Sequence, residues 1–264
     1  MVFLNSINPI LATIGPFEIR YYSFAYILGA IFTYFIFARL AEERKLGLTK
    51  QDIMDFVAYT LLSVIIFSRV FYVIIYNFGF FISNPLEVFA VWHGGLSFHG
   101  GFFGAIVAGI WLSRKKKISF WKLADMAVIP VAIALFLGRV GNFINGELYG
   151  RITSVPWAVK FKGVEGFRHP SQLYEAMKNL FMFAVLWKLR NKKLKDGVLF
   201  SLFIVMYGTL RFFIEFFRQP DENMGFILFN LSMGQILSIV MLLIGIPMLV
   251  YFSRNKPKDA IIIA

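Results

Sequence analysis

The feature that most constrains this chain is a series of long apolar segments separated by short basic loops. Seven segments can be marked, each near the roughly 20 residues that a helix needs to cross the hydrocarbon core of a bilayer. In lipid, backbone polar groups are satisfied only inside a helix or a closed barrel. The sequence therefore predicts an all-α polytopic membrane protein with seven transmembrane helices. The predicted spans are residues 21–38, 56–76, 94–112, 123–138, 171–187, 197–217 and 232–252.

Basic residues predict the orientation of these helices. Most of the 27 Lys and Arg residues follow the first, third, fifth and seventh segments. Loops rich in Lys and Arg stay in the cytoplasm, so the N-terminus is expected outside and the C-terminus inside. We expect a single integral membrane domain over residues 1–264, with a small extracytoplasmic element between helices four and five, at about residues 139–170. Alternation of apolar and polar residues in 154–162 predicts a small strand or an interfacial element there.

Composition excludes several classes of function. The net charge of +12 would suit nucleic acid, but the basic residues lie in loops between apolar segments, and no nucleic-acid partner is expected. The chain has no cysteine, which excludes a cysteine nucleophile or thiolate metal site of its own. No metal site and no cofactor are predicted. Residues 1–20 lack the features of a cleaved signal peptide, so the first apolar segment is expected to be retained.

Polar and ionisable side chains collect near the predicted outer ends of the helices. Such groups are costly at membrane depth and usually serve a function. Because several segments bring them to one level, they predict a site near the outer leaflet. The candidates are Tyr22, Arg69, His99, Arg139, Asn142, Asn145, Glu147, Arg151, Glu175, Arg211 and Glu215.

Two glycine-rich motifs stand out, and each has two interpretations. In residues 93–101 (HGGLSFHGG), His99 could act as a base near neutral pH. Alternatively, the glycines are helix-packing notches and His99 only hydrogen-bonds a neighbour. In residues 138–151 (GRVGNFINGELYGR), amides and guanidinium groups could form an anion cradle. Alternatively, this is a polar turn that caps helix four, with its charges paired internally.

Two further motifs carry charge into helices. Arg211 and Glu215 are four residues apart and share a helix face, which fits a binding site or a structural ion pair. Arg69 leaves the same two possibilities open. In residues 168–176 (RHPSQLYEA), His-Pro-Ser is a plausible stop and N-cap for helix five. Capping does not explain Glu175, which then lies one turn inside the helix.

Together these motifs resemble the bacterial prolipoprotein diacylglyceryl transferase family. Residues 138–151 are similar to that family's signature almost letter for letter. The segments at 93–101, 168–176 and 211–215 match in the same order, and Tyr22 and residues 68–73 fit the first two helices. The resemblance covers nearly the whole chain. The segment 151–170 is short, so a large extracytoplasmic head is not expected.

The resemblance implies a reaction in the bacterial cytoplasmic (inner) membrane, with the active site toward the outer leaflet. A diacylglyceryl group passes from phosphatidylglycerol to the lipobox cysteine thiol of a prolipoprotein that still carries its signal peptide, and glycerol 1-phosphate leaves. Arg139 and Arg211 are expected to hold the lipid phosphate, and His99 is the candidate base. The expected catalytic residues are Arg139, Arg211, His99 and Glu147. The expected substrate-binding residues are Tyr22, Arg69, Asn142, Asn145, Gly146, Arg151, Glu175 and Glu215.

Two other classes of protein compete with the transferase interpretation. A transporter also carries buried Arg and Glu residues, but it usually shows inverted repeats, and the sequence shows none. A lipid-binding scaffold would bind phosphatidylglycerol without releasing glycerol phosphate. Transport of solute in liposomes or release of glycerol phosphate separates the three.

Overall fold

The computed structural model describes residues 3–15, 17–76, 78–219, 226–228 and 230–254. Helices dominate this part of the chain. They are α1 (Tyr21–Glu43), α2 (Lys50–Phe71) with a π-helical turn (Tyr72–Tyr76), α3 (Phe78–Ser83), α4 (Phe98–Lys116), α5 (Phe120–Asn145), α6 (Ser171–Leu189), α7 (Val198–Ile214) and α8 (Met233–Arg254), with 3₁₀ turns at Pro85–Phe89 and Val91–His93.

Each of the seven predicted segments coincides with one long helix, and the short α3 lies in the connection between α2 and α4. Four helices are long and apolar enough to cross a membrane: α1, α2 with its π-helical turn, α5 and α8. Helix α7 is apolar but shorter, at 17 residues. The protein is therefore helical and of a multi-pass membrane type. Two lysines of the predicted basic tail, Lys256 and Lys258, lie outside the described residues.

Large apolar side chains remain exposed along these helices. Phe35 on α1 is 64% exposed and Leu243 on α8 is 70% exposed. Burying a side chain of this size is worth about 1.5–3 kcal/mol relative to leaving it in water. A protein that leaves many of them uncovered on long helices has the surface that a bilayer covers.

Short strands pair near the ends of the helices. Strands β1 (Phe3–Asn5) and β4 (Val159–Phe161) run parallel. Strand β4 falls inside residues 154–162, so the predicted strand is confirmed. Its partner at the N-terminus was not predicted. The other pairs are antiparallel: β2 (Ile10–Ile14) with β3 (Phe17–Arg20), and β5 (Phe226–Leu228) with β6 (Leu231–Ser232).

Helix α5 is longer than its apolar segment predicts. The expected end was Gly138, but the helix continues through Asn145. Tertiary contact supports the extension, since Gly141 packs against Tyr22 of α1. Gly146 then ends the helix at a φ of +70°, with hydrogen bonds from Gly146 N to Phe143 O and from Glu147 N to Asn142 O. This is a Schellman motif, which explains the need for glycine at this position.

The N-terminus of α7 is capped from another helix. Gly197 occupies the cap position with a φ of +93° and offers no side chain. The Asp125 carboxylate on α5 instead accepts hydrogen bonds from Gly197 N, at 2.9 Å, and Phe200 N, at 2.7 Å. A carboxylate at a helix N-terminus satisfies free amides and complements the helix dipole. Asp125 thus fixes the start of α7.

The described residues divide into two compact units, residues 3–36 with 125–254 and residues 37–124. The single membrane domain over 1–264 stays a prediction. In the second unit, α2 packs on α4 along small residues of α4. Gly100 and Gly104 lie against the backbone of α2, and Ala108 is buried one turn further on. Both glycines are packing notches, and for Gly100 this agrees with one interpretation of the 93–101 motif.

Replacing Gly104 with alanine is expected to destabilise the second unit. A Cβ atom there would lie 2.7 Å from the carbonyl carbon of Ser63 on α2, so the helices must separate. Overpacking of this kind costs about 1–3 kcal/mol. Gly79→Ala on α3 is the matched control, because its Cβ meets nothing within 4 Å. Thermal unfolding in detergent should lower the midpoint for Gly104→Ala alone, and equal midpoints would contradict the packing role.

Candidate active site

Glu175 lies at the centre of a buried group of charges in the first unit. Its side chain is 2% exposed. Arg211 Nη1 on α7 donates to Glu175 Oε1 at 2.6 Å, and Lys178 Nζ on α6 donates to Glu175 Oε2 at 2.8 Å. Arg139 Nε on α5 lies 3.8 Å from the same Oε2. Three helices therefore bring three cations to one carboxylate.

Glu215, at the end of α7, is the second carboxylate of this group. Arg211 Nη2 lies 2.7 Å from Glu215 Oε2, an ion pair that lacks the angle of a hydrogen bond. Arg218 Nη1 lies 3.6 Å from Oε1, which also accepts a 3.0 Å hydrogen bond from Ser232 Oγ. Gly234 makes room for Glu215, because a Cβ there would lie 2.6 Å from the carboxyl carbon. We call the six charged residues the ion-pair cluster: Arg139, Glu175, Lys178, Arg211, Glu215 and Arg218.

Within the described residues, three cations of the ion-pair cluster, Arg139, Lys178 and Arg211, meet the two carboxylates of Glu175 and Glu215, which leaves one positive charge in excess. Uncompensated buried charge is costly, so the cluster favours binding an anion. Its arginines are more accessible than its lysine, since Arg139 is 22% exposed and Arg211 is 10% exposed, whereas Lys178 is 2% exposed. Guanidinium groups suit phosphate because their planar fork donates to two oxygens at once.

The end of α5 forms a second polar element. Asn142 Nδ2 donates to Glu147 Oε1 at 2.8 Å, and Asn145 Nδ2 lies 3.4 Å from the same oxygen. Gln172 of α6 donates to the Glu147 carbonyl at 2.7 Å. The Schellman turn at Gly146 holds these groups together. The carboxylate of Glu147, an expected catalytic residue, is held by two asparagines.

Tyr22 and Arg151 also lie in the first unit, and each contacts residues of another element there. The Tyr22 hydroxyl lies 2.8 Å from that of Tyr26, and its ring packs on Gly141 of α5. Arg151 Nε donates to the Arg218 carbonyl at 3.0 Å. Both predicted residues therefore contact the elements that carry the cluster, Tyr22 through α5 and Arg151 through the residues after α7.

Arg69 lies in the second unit, on α2, and is 5% exposed. Its guanidinium donates to five backbone carbonyls, at 2.5–3.2 Å. Gly94 and Gly95 have φ values of +85° and +75° and present two of these carbonyls. These carbonyl hydrogen bonds give Arg69 a structural role different from the ion pair of the structural alternative, because they order the connection between α2 and α4. The accepting carbonyls belong to Glu87, Val88, Ala90, Gly94 and Gly95.

His99 also belongs to the second unit. It lies in the first turn of α4 and is exposed. Ser97 is the N-cap of this helix and accepts from Gly100 N. The imidazole is therefore presented at a helix start, beside glycines that pack on α2.

Helix α6 begins within the His-Pro-Ser segment, as predicted, but the predicted capping of the helix by a side chain of this segment is wrong. Ser171 is the first helical residue, and the cap position is Pro170, which makes no side-chain cap bond. Ser171 Oγ instead donates to the Leu148 carbonyl at 3.0 Å, because that loop lies beside the start of α6. His169 Nδ1 lies 3.0 Å from the Tyr174 hydroxyl, and desolvation lowers the pKa of His169 below its ordinary value.

Sequence reasoning missed three members of this site as functional residues. Lys178, Arg218 and Ser232 each contact one of the two central carboxylates. Lys178 had a visible signal, since a lysine three residues after Glu175 in an apolar helix is costly unless paired. The sequence gives no such signal for Ser232, because its contact with Glu215 depends on where α8 begins. In the described part of the chain, no group of three or more His, Asp or Glu residues could hold a metal.

The fold and the site together define a multi-pass helical membrane protein with arginines held at buried carboxylates. The sequence profile of the prolipoprotein diacylglyceryl transferase family matches residues 9–251. The protein belongs to that family.

Three relatives carry the name phosphatidylglycerol–prolipoprotein diacylglyceryl transferase. The protein of Geobacter sulfurreducens is 46% identical over 252 residues, which cover 95% of this chain and 97% of the relative. Those of Desulfotalea psychrophila and Photobacterium profundum are 41% and 40% identical, and each match covers 97% of both chains. The similarity therefore extends over nearly the whole chain.

Proposed function

We propose that this protein transfers the diacylglyceryl group of phosphatidylglycerol to the lipobox cysteine thiol of a prolipoprotein. The sulfur attacks the glyceryl carbon that bears the phosphate ester, so a C–S bond forms and a C–O bond breaks. The electron pair leaves on the oxygen of glycerol 1-phosphate, and the thiol proton passes to a base. The product is a thioether, in the first step of lipoprotein maturation.

The observation that carries this proposal is the convergence of Arg139 and Arg211, from two helices, on the buried carboxylate of Glu175. Breaking the C–O bond increases the negative charge on the phosphate oxygens. Guanidinium groups fixed in a dry site stabilise that charge without reorganising at the moment of reaction. Arg139 and Arg211 would hold the phosphate, while Glu175 and Glu215 keep Arg211 in place from two sides.

The polar turn after α5 supplies neutral partners for the headgroup. Asn142 and Asn145 are fixed by Glu147, which leaves further amide capacity for hydroxyl and phosphate oxygens. Tyr22 packs on this helix and would contribute a hydroxyl. Arg151 and Gly146 would act by holding the turn and the end of α7.

The membrane arrangement is part of the proposal. Seven spans with the N-terminus outside would place the basic ends of α1, α4, α6 and α8 in the cytoplasm. Arg114, Lys115 and Lys116 in the last turn of α4 support this orientation. The ion-pair cluster would then face the outer leaflet of the bacterial cytoplasmic membrane, where phosphatidylglycerol and a translocated signal peptide are both available.

His99 is the proposed base for the thiol. Replacing His99 with glutamine should lower the transfer rate by about 10²-fold or more, because a neutral amide accepts no proton. Binding of phosphatidylglycerol and the unfolding midpoint should match those of the parent, since the side chain is exposed. Transfer assays beside lipid-binding assays test this, and full activity of His99→Gln would remove His99 from the role.

The test of the function is direct. Purified protein receives phosphatidylglycerol and a lipobox peptide, and the products are analysed for glycerol 1-phosphate and for a matching mass gain on the peptide cysteine. Both products should appear together. Lipid binding without either product would indicate a scaffold, and solute flux in liposomes without either product would indicate a transporter. Activity in the presence of a chelator is expected, because the proposed step uses no metal.

A further inference from the structure

Lys178 is a buried charge for which the proposed reaction has no use. It lies on α6 with its side chain 2% exposed. Its ammonium donates to Glu175 Oε2 at 2.8 Å and sits 3.7 Å from the centre of the Tyr207 ring on α7. A buried lysine is costly unless paired, and the carboxylate and the aromatic face both offset that cost. Its burial keeps the ammonium from taking part in binding the lipid itself.

Lys178 shares one oxygen with a residue that the reaction does use. Glu175 Oε2 lies 2.8 Å from Lys178 Nζ and 3.8 Å from Arg139 Nε. The first distance is a hydrogen bond and the second is beyond one. Glu175 Oε1 is meanwhile taken by Arg211 at 2.6 Å. Glu175 is thus satisfied by Lys178 and Arg211, and Arg139 is attracted to it without bonding to it.

Removal of the Lys178 ammonium would change which cations contact Glu175. Oε2 would lose its hydrogen bond, and a buried carboxylate oxygen without a partner costs about 1–3 kcal/mol or more. Apart from Lys178, Arg139 is the cation of the cluster whose closest approach to Glu175 is to that oxygen. Its guanidinium would close the gap of 3.8 Å and donate to Oε2, which leaves fewer of its donors for a ligand.

We propose that Lys178 is a positioning residue that occupies Glu175 Oε2 and thereby keeps Arg139 available for the phosphate of the lipid. This inference rests on the proposed function. Lys178 acts through Glu175 and Arg139 and touches no substrate. The Tyr207 ring packs against the same ammonium.

The test is a double-mutant cycle on affinity for phosphatidylglycerol. Lys178→Met should weaken lipid binding about tenfold in the parent protein, equivalent to about 1.4 kcal/mol. In an Arg139→Ala background the same change should alter affinity less than about twofold, because there is no guanidinium left to withdraw. Lys188→Met, an exposed lysine on the same helix, is the matched control and should leave affinity unchanged.

Each outcome decides the matter. An equal loss in both backgrounds would mean that Lys178 acts on the lipid through its own charge, and no loss in the parent would mean that it has no role in binding. Either result overturns the proposal. Lys178→Arg, which keeps the charge and the donors, should bind within about threefold of the parent and serves if Lys178→Met does not fold. A tenfold loss in a folded Lys178→Arg would also overturn it.

The transfer assay distinguishes failure of the positioning role of Lys178 from failure of the proposed transferase function. In the parent, transfer must occur for the proposed function to stand. With transfer established, Lys178→Met should raise the KM for phosphatidylglycerol about tenfold and change kcat less than about twofold. The lipid must first draw Arg139 away from Glu175, and that cost lowers binding of the ground state and the transition state equally. A parent that transfers normally beside a Lys178→Met variant with the same KM overturns the positioning role alone.

Discussion

Replacing Arg139 with alanine is expected to abolish transfer of the diacylglyceryl group while leaving the protein folded. Removal of a fixed cation that faces developing phosphate charge should lower the rate by about 10³-fold or more. The folded state should hardly change, because the nearest contact of Arg139 to Glu175 is 3.8 Å and its side chain is 22% exposed. A loose, partly exposed ion pair contributes about 0–1 kcal/mol.

The measurement pairs release of glycerol 1-phosphate with thermal unfolding in detergent. Lys122→Ala, at the other end of the same helix, is the matched control and should retain both activity and midpoint. Arg139→Lys should recover only part of the rate, because an ammonium lacks the planar fork of a guanidinium. Near-normal transfer by Arg139→Ala would contradict the prediction that the ion-pair cluster holds the lipid phosphate.

Replacing Arg211 with alanine should abolish transfer and also destabilise the protein. Arg211 joins both carboxylates, at 2.6 Å to Glu175 and 2.7 Å to Glu215, and its side chain is only 10% exposed. Removing one partner of a buried ion pair costs about 3–5 kcal/mol, because the remaining charge stays buried. Alanine substitution therefore distinguishes the two arginines. Arg211→Ala should lose both transfer and stability, whereas Arg139→Ala should lose transfer and keep its fold.

The chain offers a close control for Arg211. Arg39 and Glu43 form an ion pair with the same four-residue spacing, at 3.0 Å, but Arg39 is 61% exposed. Arg39→Ala should change the unfolding free energy by about 0.5 kcal/mol or less. Calorimetry or scanning fluorimetry in one detergent compares the two. If Arg211→Ala unfolded at the midpoint of Arg39→Ala, the ion-pair cluster would not hold α6 and α7 together.

The sequence by itself determined the helices and most of the charged residues of the site. Apolar length is a local property, and each of the seven segments coincides with a helix. The cost of charge in lipid is also readable residue by residue, so Arg139, Glu175, Arg211 and Glu215 could be selected without a structure. The structure brings these four into one cluster.

Only the tertiary structure decided which groups satisfy one another. Helix α5 continues to Asn145 because Gly141 packs on α1, and α7 begins at Val198 because Asp125 caps it from α5. Arg69 donates to backbone carbonyls more than fifteen residues away, which no spacing rule predicts. The sequence shows Lys178 as a charged residue in an apolar helix, but it does not show that Lys178 donates to Glu175 Oε2. Partners of this kind depend on how helices face each other, and packing across the chain, not local periodicity, sets that arrangement.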